Sequence, residues 1–474
     1  MRWLAAYKHR VMVVYIIGLF IQIVDGTIVN IAIPTLADEF GVEATDMDWA
    51  IIGFYLAVIV VIPVAGFVGD RFGTKRVFLS ALGGFVLASM LCGAAQSLDQ
   101  LIAFRMLQGL FAGLITPIGS AMLYRAFPVE ERARASAAVL TVAVVAPILG
   151  PVLGGIIVET LSWRWIFFIN IPIGGLGLLL GFSWLREEVV GVAARIDWAG
   201  VVLSAAGLGL LLFGISEGPT RGWTSGIIMT SLGIGALALV ALAVIETHIA
   251  DPILALRLFR DRLFRATNLA GAPAFMAFFS YIFLMPIFLQ KVGGHSALRT
   301  GLTVSAQGLG FVISSQVTGN ILYPKYGPRV LMVVGSISAL TVSMWFVTID
   351  ETTSLLAIAG VTVLRGFSMG MVAIPLQTAT YTKVNLADMG RATSLFNTQR
   401  QAAVAIGIAI VATIVSSMVA SLDSPADGGS PTGERVDAFR MAFGVSASFF
   451  AIAAVLALFV KTEDARASMA VRSG

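Results

Sequence analysis

Fourteen apolar runs follow one another along the chain, each about 20 residues or longer and separated by short polar, charged or Gly/Pro-marked breaks. They fall at residues 11–36, 49–68, 77–97, 100–123, 135–158, 165–184, 198–216, 225–245, 266–290, 300–323, 330–349, 353–380, 392–420 and 441–460. A helix rises about 1.5 Å per residue, so roughly 20 apolar residues cross the hydrocarbon of a bilayer. The pattern predicts an all-α polytopic membrane protein with 14 transmembrane helices. The seventh and eighth runs are Gly-rich and nearly free of polar side chains. The first is too long for a signal peptide and lacks a small-residue cleavage site, so it is expected to remain as a membrane anchor.

Composition agrees. Of 474 residues, 58% are hydrophobic and 12% charged, against about a quarter charged in soluble domains. The formal charge of +4 says little alone and points to no nucleic-acid partner; its distribution matters more. Loops on the side shared by the two termini hold 22 of the 31 Lys and Arg, and loops on the other side hold six. A Lys/Arg excess marks the cytoplasmic face, so both termini are expected inside, in the inner or plasma membrane. The single cysteine, Cys92, allows no intrachain disulfide. His9, His248 and His295 lie far apart in sequence with no metal-ligand spacing, and no P-loop signature is present. No enzyme chemistry, metal or cofactor is therefore expected, and transport energy should come from an ion gradient or the substrate's own gradient.

Against this apolar background Asp25 is the one carboxylate inside a run, about 14 residues or roughly 21 Å along its helix. A charge in hydrocarbon is costly, and by default marks function; the plainer alternative is an acid paired for packing alone. Burial favours its protonated form and a nearby cation its ionised form, which suits a proton carrier. Three arginines also lie within runs: Arg105, Arg365 and Arg400. Arg105 enters its helix from the opposite face, about 9 Å deep. It is expected to couple with Asp25 directly or through Gln22, Asn30 or water, the alternative being a structural pin. Tyr55 and Tyr281 are substrate-cavity candidates because a buried hydroxyl needs a partner, as are Gln22, Asn30, Gln307, Gln377, Arg365 and Arg400, with Gln316 and Gln399 beside them. Trp49 is expected in an interfacial belt.

An internal repeat is visible. Arg71-Phe72-Gly73-Thr74-Lys75 is echoed by Lys325-Tyr326-Gly327-Pro328-Arg329, 254 positions on, and Gly109…Gly113 by Gly366…Gly370, 257 positions on. This predicts two homologous six-helix bundles, residues 1–190 and 266–474, with two inserted helices and a linker at 191–265. Parallel halves with a site at their midplane interface are a recurring transporter plan.

Several stretches now carry a family resemblance. Asp25-Gly26-Thr27-Ile28-Val29-Asn30-Ile31-Ala32-Ile33-Pro34, the loop signature Gly66 to Arg76, Arg105-Met106-Leu107-Gln108-Gly109, Gly150-Pro151-Val152-Leu153-Gly154-Gly155, Trp163 to Pro172, Pro252 to Phe264 and Asn397-Thr398-Gln399-Arg400-Gln401 occur in order. Together they resemble the major facilitator superfamily, fourteen-spanner drug:proton antiporter type (EmrB/QacA-like). The resemblance implies a multidrug efflux protein that exchanges a lipophilic small molecule for protons by alternating access, monomeric among membrane lipids. An accessory or periplasmic partner is not readable. It implies a conformational latch in Gly66, Asp70, Arg71, Gly73, Lys75 and Arg76, with Asp70 accepting donors at a neighbouring helix N-terminus. It also implies an antiporter motif at Gly150, Pro151, Gly154 and Gly155 that shapes the interface of the halves. Three positions depart from the family pattern: Ala146 in place of a glycine, Ala306 of a proline, and Pro324 where the first loop has Asp70. Export of an endogenous lipid, siderophore or antibiotic is the alternative, and a non-transporting sensor a remoter one. With one acid against three arginines in the spans, dications are expected to be poor substrates; flux of a dication and a monocation compared in one vesicle assay checks this, and equal rates without another acid contradict it.

Overall fold

The computed structural model describes residues 2–42, 47–187, 197–246, 248–249, 255–422 and 431–469. The described residues are helical, with no strand among them. The main elements are α1 (Arg2–Phe40), α2 (Asp48–Phe72), α3 (Thr74–Gly93), α4 (Leu98–Ala126), α5 (Arg132–Thr160), α6 (Trp165–Phe168), α7 (Asn170–Trp184), α8 (Trp198–Arg221), α9 (Gly226–Glu246), α10 (Arg262–Lys291), α11 (Ala297–Val317), α12 (Tyr323–Met344), α13 (Leu355–Thr380), α14 (Met389–Leu422), α15 (Pro431–Ala457) and α16 (Arg466–Met469).

Twelve stretches of the described residues are long and apolar enough to cross a membrane. One of them, Arg299–Thr348, has 50 residues. A straight helix of that length would exceed the roughly 30 Å hydrocarbon layer twofold. It is instead divided at Gly327, whose φ of 73° interrupts α12 after its first turn and separates the part up to Tyr326 from the crossing that follows. A further crossing is α5, bent by 41° between Pro147 and Val152, where Pro147 and Pro151 remove helical hydrogen bonds. With these two features the fourteen crossings are accounted for. With Ala306 in place of a proline, α11 runs unbroken as far as a π-helical turn at Thr318–Leu322.

Helices outlast their apolar runs. The sequence suggested a loop from Asp70 to Arg76, but α2 continues to Phe72 and α3 starts at Thr74. Polar residues can extend a helix once it has left the hydrocarbon, so the hydropathy edge is not the helix end. The connection is Gly73 alone, at φ 94°, and its counterpart 254 positions later is Gly327. Each needs the left-handed region that glycine enters without Cβ strain. The second repeated pair has an equally direct reason. A Cβ on Gly109 of α4 would lie 2.3 Å from the Phe54 carbonyl of α2, and one on its counterpart Gly366 of α13 2.0 Å from the Gln307 carbonyl of α11; Gly113, one turn after Gly109, would come 2.5 Å from the Val58 carbonyl. Both sites let two backbones touch.

On the face carrying Gly73 and Gly327, rich in Lys and Arg, one apolar cluster runs from Tyr15, Phe78 and Tyr124 through to Phe275, Tyr381 and Phe396. Towards the opposite face the core divides into two clusters, one around Val24, Leu36 and Phe167 and another around Leu289, Phe346 and Phe439. The inserted pair α8–α9 packs at the side. Leu208 and Leu212 of α8 meet Ile59 of α2 and Ala405 of α14, while α9 exposes Met229, Ile234, Leu237, Val240 and Val244. Trp49, expected in an interfacial belt, stacks on Phe213 of α8 with centroids 6.2 Å apart. Replacing Gly113 by Val should cost about 1–3 kcal/mol through overpacking and lower the melting temperature. Gly155, whose Cβ would meet nothing within 4 Å, should accept Ala without a measurable shift; scanning fluorimetry of both variants checks the contrast.

Candidate functional site

Four helices converge on Asp25. From α4, Arg105 and Gln108 are three residues apart and so share one helix face. The Arg105 Nη1 donates to Asp25 Oδ2 at 2.5 Å and to Gln108 Oε1 at 2.7 Å. Gln108 Nε2 donates to Asp25 Oδ1 at 2.9 Å, and Asn170 Nδ2 of α7 donates to the same oxygen at 2.7 Å. Ser89 of α3 accepts from Asn170 at 2.9 Å and donates to the Phe167 carbonyl at 2.8 Å. Asp25 and Arg105 are both wholly buried. Every hydrogen-bonding atom described at the carboxylate is a donor, the arrangement an ionised acid requires. A protonated Asp25 must donate, so one of these contacts has to open first.

Arg105 is held from two more sides. Its Nε donates to the Ala50 carbonyl of α2 at 3.3 Å, and its guanidinium carbon sits 4.1 Å from the Phe54 ring centroid. Nη2 is buried with no partner among the described residues. The anticipated Asp25–Arg105 contact is therefore direct. Gln22 lies outside it, accepting from Thr116 of α4 at 2.9 Å. Tyr55 donates to the Gly26 carbonyl at 3.1 Å, one residue from Asp25. The side chains of Asn30 and Pro151, and Pro252, lie outside the described residues.

The second half repeats this design without the acid. Arg365 of α13 donates to Gln307 Oε1 at 2.6 Å, to Ser343 Oγ at 3.1 Å and to the Ala277 carbonyl at 2.7 Å. Its guanidinium lies 4.2 Å from the Tyr281 ring centroid. Each arginine thus has one glutamine oxygen, one alanine carbonyl and one aromatic face. Tyr281 and Gln307 belong to this cluster, with Tyr281 also bonded to Thr362. Gln377 is buried in α13, and Arg400 is half-buried in α14. Gln316 reaches Thr141 at 3.5 Å and Gln399 donates to the Asn268 carbonyl at 2.9 Å. A second buried carboxylate, Glu246, ends α9 beside the first turn of α8.

The Lys/Arg-rich face is closed by bonds between the halves. Asp70 accepts from Arg125 Nη2 at 2.6 Å, and Arg125 Nε donates to the Leu386 carbonyl at 3.1 Å. Asp70 abuts the first turn of α14: a Cβ on Gly390 would come 2.7 Å from its Oδ1. Gly66 N donates to Ser394 Oγ at 2.7 Å, and Thr393 Oγ1 to the Pro117 carbonyl at 3.0 Å. The other latch cations are anchored to their own half. Lys75 and Arg76 present backbone N–H groups to Glu187 at 3.1 and 3.2 Å, placing an anion at the N-terminus of α3. Lys75 Nζ donates to the Phe182 carbonyl at 2.9 Å, and Arg71 lies over Phe72.

Two expectations change. Gly150 and Gly154 face α1, not the other half. A Cβ on Gly150 would meet Thr27 Oγ1 at 2.0 Å, and one on Gly154 the Ile28 side chain at 2.9 Å. The part of α5 that meets the second half lies earlier, where Thr141 bonds Ser315 at 2.8 Å; proline bending separates the two stretches. Secondly, residues with strong geometric roles were not singled out. Gln108 and Asn170 stood inside quoted motifs, and Gln108 was findable from its spacing to Arg105. Arg132 had been counted only as a loop cation. It is buried and donates to the carbonyls of Tyr381 at 2.6 Å and Tyr124 at 2.9 Å, so one cation clamps the C-terminal ends of α13 and α4, where carbonyls lack helical partners. Arg132→Ala should remove about 1.5–3 kcal/mol of closure and increase opening at this face at least tenfold. The labelling rate of an introduced Tyr381→Cys by a polar maleimide, with and without R132A, measures it.

Known proteins bear on this arrangement. The profile of the Major Facilitator Superfamily matches residues 15–408. Multidrug export protein EmrB of Haemophilus influenzae is 34% identical over 395 residues, 82% of this chain and 77% of that protein. Fatty acid resistance protein FarB of Neisseria gonorrhoeae is 33% identical over 405 residues, 84% and 79% of the respective chains. Among solved structures, the human organic anion transporter MFSD10 aligns with a TM-score of 0.69 at 15% identity, covering 95% of this chain and 99% of that one, a likeness of fold alone. A profile match spanning most of the chain, relatives above 30% identity and the multi-pass helical bundle together show that this membrane protein belongs to the Major Facilitator Superfamily.

Proposed function

We propose that the protein is a proton-coupled exporter of lipophilic small molecules from the cell membrane, working as a monomer by alternating access. Residues 1–190 and 266–474 act as the two moving halves, 191–265 supplies the inserted pair, and both termini lie in the cytoplasm. The observation that carries the reading is the all-donor surround of Asp25. In the closed-face state Asp25 is ionised and held by Arg105, Gln108 and Asn170. Rearrangement of α1 against α4 and α7 opens that surround, lets a proton bind, and links protonation to the position of the halves. Asp70, Arg125 and Arg132 close the cytoplasmic face, and breaking their bonds opens it to substrate. Relatives named as multidrug export proteins support the substrate class.

Among the described residues no partner acid stands beside Arg365, which is satisfied by neutral acceptors. Coupling should therefore rest on Asp25. Substrate added to purified wild type in weak buffer is expected to release protons; Asp25→Asn should abolish the release and reduce proton-driven flux in proteoliposomes to that of protein-free vesicles. Normal binding by D25N together with undiminished proton release would reject Asp25 as the carrier.

A further inference from the structure

Of the three arginines inside the apolar spans, two are matched. Arg105 has a carboxylate and Arg365 three neutral acceptors. Arg400 has neither a hydrogen bond nor an ion pair among the described residues; its described contact is the Phe275 ring, 5.9 Å from the guanidinium carbon. It stands on α14 eleven residues after Met389, about 16 Å into the bundle. The Phe275 ring beneath it packs on Phe396, which in turn packs on Tyr381 at the end of α13. The Tyr381 hydroxyl is buried and has no partner among the described residues. A cation and a hydroxyl, both unmatched among the described residues, thus border one aromatic cluster on the seam between the halves. Asp25 does not neutralise it, being wholly buried and fully engaged elsewhere. Phe396 packs edge-on against both Phe275 and Tyr381, with centroids 6.2 and 5.7 Å away, so the polar pair sits against an aromatic wall.

We propose that Arg400, with Tyr381, binds the anionic head of an amphipathic substrate, a lipophilic monocarboxylate. The guanidinium fork matches the two oxygens of a carboxylate, and the aromatic wall takes the start of the apolar body. This inference rests on the exporter reading and narrows its substrate class. It carries an energetic consequence: exchange of one outgoing monoanion for one incoming proton moves two charges in the same electrical sense, so an inside-negative potential drives the cycle without a pH gradient.

The test uses full-length protein in lipid nanodiscs, with empty discs as blank and three probes of equal chain length: decanoate, decanol and decyltrimethylammonium, at a pH where decanoate is ionised. Wild type should bind decanoate tightest. Arg400→Gln should weaken decanoate about ten- to hundredfold, the range for hydrogen bonds to a charged group, and leave decanol unchanged, which also shows that the variant is folded. Arg400→Lys should retain part of the affinity, and Tyr381→Phe should weaken decanoate by less than R400Q does. Failure of wild type to bind decanoate, equal binding of all three probes, or an equal effect of R400Q on decanoate and decanol overturns the proposal. If proton release occurs but is blind to probe charge, export stands and the anion site falls. If decanoate binds through Arg400 yet releases no proton, the anion site stands and proton coupling falls.

Discussion

Taking a carboxylate out of water costs several kcal/mol even after a protein relaxes around it, and an arginine beside it costs as much again unless both are fully hydrogen-bonded. Asp25 meets that demand through donors on α4 and α7, and Arg105 meets most of it through Asp25, Gln108 and the Ala50 carbonyl, with Nη2 unpartnered among the described residues. The demand explains much of the surrounding packing. Gly150 lets α5 lie on α1 at Thr27, two residues past the acid, and Gly113 lets α4 press on α2 so that Arg105 reaches the Ala50 carbonyl. Close backbone contact is what brings short amide side chains within bonding distance of one buried charge.

The repeated sequence marks frame two arginine clusters, and what differs between them is an acid. Both halves place an arginine on equivalent glycine-packed helices beside a glutamine, a carbonyl and an aromatic ring. Only the first half puts an acid there, so only that arginine has a partner whose charge can be switched by a proton. The loops differ in the same way: Gly73 and Gly327 share a backbone geometry, while Asp70, which lies against the first turn of α14, has Pro324 as its counterpart.

Much of this was legible in the chain. Span number follows from hydropathy because a bilayer imposes one length on every crossing, and Asp25 stood out because so few charges share its surroundings. Helix ends were misjudged, since α2 and α14 run past their apolar runs into polar sequence. Tyr281 and Gln307 were assigned to a cavity on polarity alone, whereas a buried Arg365 claims both. Arg132 was hidden among loop cations: the charge that anchors a loop to a membrane surface and the charge that clamps two helix ends look identical in sequence. Only the approach of the Tyr124 and Tyr381 carbonyls separates the two roles.

The end of the chain is built into the same closed face. Gly327 lies against Thr462 and Met469, Tyr323 bonds Ser468 at 2.6 Å, and Met469 also joins Ala133 of the first half in a small apolar cluster. Lys383, just past α13, pairs with Asp464 at 2.6 Å. Residues 461–469 therefore act as a strut wedged across the seam rather than as a loose tail. Anyone engineering this protein should append a tag beyond the strut and not substitute for it, because cutting it back would loosen the clamp and make the purified protein a sample of a different conformational balance.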